Sequence, residues 1–182
     1  SRDWSSDVCS SDLKLSANFK KAFPNSAKAL EDMQFSGEAI RDFFDAVAMV
    51  LGKNDGFNSV MALTDSAEIA GGVKLDFTLQ KKDSETVAGL KKCFASILSY
   101  KLAGVEDNIL AYSVFESAVD FIVSTLDEAK KSFTPTEIFV GGDFLLSKIF
   151  VSKLKSKVKT VNINMALNTL PANLQKSFEI VS

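Results

Sequence analysis

The run Ile138–Phe150, "IFVGGDFLLSKIF", carries three apolar residues into a Gly-Gly pair and continues at once as an amphipathic segment. A strand that enters two glycines and leaves as a helix gathers backbone N–H groups and the positive end of a helix dipole at one point. That is how a phosphate is held without a charged side chain. The same Gly-Gly also serves close packing of a strand on a helix, so Gly141 and Gly142 carry two readings, a phosphate cradle and a plain turn. Asp143, at the expected helix start, reads as an N-cap, and its charge would oppose a phosphate there. The chain contains no histidine, which removes Ser-His and Cys-His nucleophile pairs, imidazole metal ligands and the commonest general base. Whatever chemistry there is falls to carboxylates, lysines or backbone amides. Asp45 in "FFDAVA" is one such carboxylate, and by spacing alone it is an exposed residue on a helix whose apolar face is filled by Phe44 and Val47.

The elements that must position these residues are helices with a few short strands. "GEAIRDFFDAVAMVL", Gly37 to Leu51, sets Ile40, Phe43, Phe44, Val47, Ala48 and Leu51 at spacings of three and four, with Ser36 available as N-cap and Gly52 to end the helix. "FNSVMALTDSAEIA" is a second helical candidate, closed by Gly71-Gly72. "VKLDFTL" alternates Val73, Leu75, Phe77 and Leu79 as a half-buried strand does, and "QKKD" follows as a loop. Two long amphipathic helices are expected from about Ser84 to Leu102 and from about Glu106 to Lys131, joined at Gly104, with Pro135 breaking the second. "TEIFV" reads as a buried strand, "DFLLSKIFVSKLK" as a helix and "TVNIN" as a further strand. The order at the carboxyl end is strand, helix, strand.

Composition bounds the function. The 182 residues are 46% hydrophobic and 24% charged, with a formal net charge of -2, which suits one domain or one lobe of a larger one. Lysines spread along the chain make no basic footprint for nucleic acid, and no apolar run is expected to reach the ~18 residues that span a bilayer. Neither nucleic acid nor membrane is indicated as a partner. Cys93, in "LKKCFASIL", reads as a small buried apolar side chain in a reducing compartment rather than half of a disulfide. The lysines of "KLKSKVK" read as a solvated helix face, and most of the 15 phenylalanines as core.

In order and spacing, "IRDFFDAVAMVLG", an Ala-rich helix, the "LDFTL" segment, "ILAYSVFESAVDFI" and "IFVGGDFLLSKIFVSKL" resemble the carboxyl-terminal lobe of the HypF-type hydrogenase-maturation carbamoyltransferases over roughly Gly37 to Asn173. More distantly they resemble the tRNA threonylcarbamoyltransferases, which are TsaD-like. The resemblance implies an α/β fold, a partial actin-like ATPase (RNase H-like) lobe that is helix-rich with a few short strands. It further implies ATP-dependent, cytoplasmic carbamoyl transfer: carbamoyl phosphate becomes a carbamoyl adenylate, and the carbamoyl group passes to the terminal cysteine of a hydrogenase-maturation partner protein. Asp45 falls where the family has an aspartate that contacts the nucleotide. Gly141 and Gly142 match its glycine pair beside the phosphates.

The sequence also departs from the family. Val140 stands for a serine before the glycines, Leu146 for an asparagine after them, and Ser59 for a small pocket glycine. Leu174 and Gln175 follow Asn173 where the family's Pro-x-Asn-Asp-Gly supplies a metal-binding aspartate, so the family's metal site is not expected here. No catalytic residue is assigned. The resemblance therefore admits a piece of an active enzyme, inactive by itself, or a diverged non-catalytic relative kept for protein contact; an unrelated helical domain is the third reading.

Residues 1–13, "SRDWSSDVCSSDL", have no helical or strand period, and Asp3 to Leu13 resemble a translated sequencing adapter. They are expected to be disordered and outside the fold, with residues 14–182 forming the lobe, truncated at its amino end.

Overall fold

The computed structural model describes residues 10–34, 39–65, 71–77, 79–82, 85–132 and 134–168. The chain divides into two compact units between Ser113 and Val114.

The first unit is helical. It contains α1 (Ser10–Ala22), α2 (Pro24–Glu31), α3 (Ala39–Val50), α4 (Gly56–Asp65), α5 (Leu90–Leu102) and the start of α6 (Asp107–Ala129). Its centre is α3, packed on α2, α4 and α5. The three-and-four spacing explains this: Phe43, Phe44, Val47, Ala48 and Leu51 are buried. Phe44 meets Phe57 of α4 edge-on at 5.2 Å, and Phe43 meets Phe77 at 5.9 Å. Pro24 begins α2, where its missing N–H costs nothing. The Lys101 ammonium lies over the Phe23 ring at 5.2 Å from its centroid and pairs with Asp107 across the α5–α6 turn. The proposed cap Ser36 lies outside the described residues. Residues 10–13 form the first turn of α1, and Leu13 is exposed.

Two local expectations are corrected in this unit. Residues 73–77 keep the alternating burial, with Leu75 buried between exposed Lys74 and Asp76, yet their backbone is not in a ladder. The Val73 N–H instead donates to Ser113 Oγ at 2.8 Å, and the Phe77 N–H turns back to the Leu75 carbonyl. The strand lies later, as β1 (Leu79–Lys82), which pairs antiparallel with β2 (Glu85–Ala88). The β2 residues therefore replace the first turns of the helix expected from Ser84, and α5 starts only at Leu90.

The second unit holds the rest of α6 with β3 (Glu137–Gly141), a single 3-10 turn (Asp143–Leu146), α7 (Lys148–Thr160) and β4 (Asn164–Asn168). β3 and β4 are parallel, Val140 opposite Leu167 and Gly141 opposite Asn168, so the helix between them makes a βαβ unit. Its core is built from Val114, Phe115, Val119, Phe150, Leu154, Val158 and Ile163. The last strand is not "TVNIN": Val161 and Asn162 form the turn that ends α7, Asn162 at φ 54°, and pairing starts at Asn164.

Helix α6 is 23 residues long and, by length and composition alone, apolar enough to cross a membrane, contrary to the expectation that no run reaches that length. Its apolar side contributes to a protein core, however, and two of its carboxylates are paired with α7: Glu116 accepts from Lys153 at 2.7 Å, and Asp120 pairs with Lys157. Two of the lysines read as a solvated face thus tie α7 to α6.

Candidate functional site

Gly141 ends β3 and Gly142 follows it at φ 101° and ψ -179°, a conformation essentially reserved for glycine. Asp143 does not start an α-helix. It opens a four-residue 3-10 turn, and α7 begins at Lys148, capped by Ser147, whose Oγ accepts from the Phe150 N–H at 3.3 Å. The strand-to-helix junction read from the sequence is therefore split, and the α7 dipole is delivered at Ser147 rather than at the glycines. The physical reason lies in Phe144. Its ring packs in tilted contact with Phe150, centroids 5.0 Å apart, and with Phe115 at 5.8 Å, which pins the turn to the core and keeps the chain from winding directly into α7.

The Gly-Gly turn consequently has a structural role that needs no ligand. What it offers a phosphate is open backbone: a Cβ at Gly142 would meet nothing within 4 Å. Against this stands the exposed Asp143 carboxylate at the start of the turn. Val140 is half-buried in the ladder, and Leu146 is 56% exposed at the end of the turn, so neither position supplies a hydrogen-bonding side chain.

Asp45 belongs to the first unit, on α3, and is half-buried rather than a freely exposed helix carboxylate. It lies against Gly56, the first residue of α4, so closely that a Cβ on Gly56 would overlap Asp45 Oδ1. A carboxylate there faces the N–H end of α4, where negative charge is favoured. Gly56 is the residue that sequence reasoning missed. Ser59, matched to the family's small pocket glycine, lies inside α4, where its N–H donates to the Asp55 carbonyl at 2.9 Å. The "NDGF" turn after α3 was the signal that could have pointed to it. Thus Gly141 and Gly142 are adjacent in one unit and Asp45 belongs to the other. Leu174 and Gln175 lie outside the described residues. Among the described residues, no cluster of three or more Cys, Asp or Glu side chains is arranged to hold a metal.

Cys93 is a fully buried free thiol of α5. Burial, aided by the charge of Asp76, pushes its pKa up to about 12, which suppresses thiolate chemistry at neutral pH.

No protein-family model matches the chain. A crystal structure of full-length HypF in its phosphate- and nucleotide-bound form is similar over 87% of this chain, with a TM-score of 0.64 at 15% identity. The chain has the fold of part of HypF. Protein HydE of Wolinella succinogenes is 28% identical over 165 residues, covering 85% of this chain. The chain spans 24% of the length of that HypF chain and 30% of HydE. The α/β, helix-rich architecture expected from the sequence thus has a HypF-like counterpart.

Proposed function

We propose that this chain is the carboxyl-terminal, TsaD-like lobe of a HypF-type carbamoyltransferase with an actin-like ATPase fold. It is part of a cytoplasmic enzyme that uses ATP to convert carbamoyl phosphate into carbamoyl adenylate and transfers the carbamoyl group to the terminal cysteine of a hydrogenase-maturation partner. By itself it is inactive. The observation that carries this reading is the similarity over 87% of the chain to a HypF structure holding phosphate and nucleotide. In this reading Asp45 contacts the nucleotide and Gly141 and Gly142 let phosphate oxygens approach the backbone. Apolar Val140 and Leu146 leave those contacts thin. Residues 1–13 are foreign to the lobe, which comprises residues 14–182.

A second reading, a diverged relative kept for protein contact, is favoured by two exposed apolar side chains bracketing the glycine pair in sequence, Phe139 at 80% and Leu146 at 56%. Carbamoyl-phosphate-dependent release of AMP from ATP tests the proposal. The chain alone should release none. HypF carrying this chain in place of its matching quarter should do so if the lobe is catalytic. A folded but inert chimera would favour the contact reading instead.

A further inference from the structure

Among the described residues, β3 is hydrogen-bonded to β4 alone, so its other edge joins no ladder there. The register fixes which backbone groups that edge presents. The Asn164 N–H donates to the Thr136 carbonyl at 3.0 Å, and Glu137 stands opposite Asn164. In a parallel pair this aims the N–H and C=O of Ile138 and Val140 at β4 and those of Glu137, Phe139 and Gly141 outward. Natural edges are blunted by lysine, proline or a bulge. None of these lies within Glu137–Gly141, whose single charge is Glu137. The next outward position, Pro135, has no N–H and bounds the edge. Phe139, at the centre of the strand, is 80% exposed.

We propose that a second copy of this chain adds to this edge, β3 against β3, antiparallel across a two-fold axis at Phe139. The outward groups are symmetric about Phe139, as an isologous contact requires. In that register Phe139 meets its own counterpart and Glu137 meets Gly141, which gives about six backbone hydrogen bonds, two rings side by side and no like charges opposite. The outer edge of β4 suits a second copy less well. Only Met165 and Leu167 aim their groups outward there, and Ala166 between them aims its own at β3, so a dyad at Ala166 makes about four bonds and no aromatic pair. The dimer needs neither nucleotide nor carbamoyl transfer, so its absence would leave the AMP-release test untouched.

Sedimentation velocity over a concentration series tests this on the intact chain, which should pass from monomer to dimer. Phe139→Lys, which sets two ammonium groups opposite each other without touching the core, should raise the dissociation constant at least about tenfold. Leu146→Lys, at an exposed apolar position beyond the strand, should leave it unchanged. Register is read separately. In a Cys9→Ser background, Phe139→Cys should crosslink two copies on mild oxidation far faster than Leu146→Cys does, because facing residues of a hydrogen-bonded antiparallel pair hold their Cα atoms about 5.5 Å apart, within disulfide reach. A monomer at every concentration, a dimer that survives Phe139→Lys, open-ended assembly, or equal crosslinking at the two positions would each overturn the assignment.

Discussion

Asp45 and Gly56 fit each other: a Cβ built on Gly56 overlaps the Asp45 Oδ1 and comes within 3.1 Å of its Cγ, while Gly56 itself has φ 26°. The colliding atom ends a short side chain that can rotate away. Gly56→Ala should therefore cost about 1 kcal/mol, mainly from the left-handed backbone, and displace the Asp45 carboxylate from the start of α4. Asp45→Ala in the same chain should recover the steric part, so the double variant should melt higher than the two single effects sum to. Strict additivity in thermal melts would mean that the two residues do not press on each other.

Cys93 should give stability a pH dependence in the alkaline range. The native thiol titrates at about 12, against an ordinary value of 9.0. Below pH 9 both states hold the proton and the contribution is complete. As pH rises towards 12 the unfolded thiol ionises while the native one does not, so stability falls with a slope approaching about 1.4 kcal/mol per pH unit. Cys93→Ala should remove that slope. Denaturant titrations of both proteins between pH 8 and about 11 read the difference directly, and parallel curves would refute it.

The junction of α6 and α7 separates two kinds of contact. Lys157–Asp120 and Lys153–Glu116 are at least partly exposed and should contribute at most about 1 kcal/mol each. Leu154, fully buried on the same helix, should cost about 2–5 kcal/mol on truncation to alanine. Urea midpoints of Lys157→Met and Leu154→Ala should differ accordingly. A larger effect of the lysine would show that the ion pairs, not the apolar seam, hold α7.

The helices were legible because their burial follows a period that the sequence displays. Phe43, Phe44 and Val47 predict α3 by spacing, and Gly52 predicts its end. The strands were less so. Val73, Leu75 and Phe77 alternate in burial exactly as far as side chains go, but whether a segment joins a ladder depends on what its backbone meets, here Ser113, forty residues on in sequence. The site was half legible. A Gly-Gly pair announces an unusual backbone, and Gly142 has one, but that Phe144 would bind the turn into an aromatic cluster with Phe115 and Phe150 is a tertiary fact. For the same reason Gly56 was invisible as the neighbour of Asp45, since the ten positions between them say nothing about distance.

The central claim is that this chain carries part of a nucleotide site and too little of it to hold ATP alone. Isothermal titration of the chain with ATP and magnesium tests it most directly. The account predicts a dissociation constant no tighter than about 1 mM, because Val140 and Leu146 offer the phosphates no side-chain hydrogen bond and Asp143 opposes their charge. Micromolar binding that Asp45→Ala abolishes would contradict it and make this chain a complete nucleotide site.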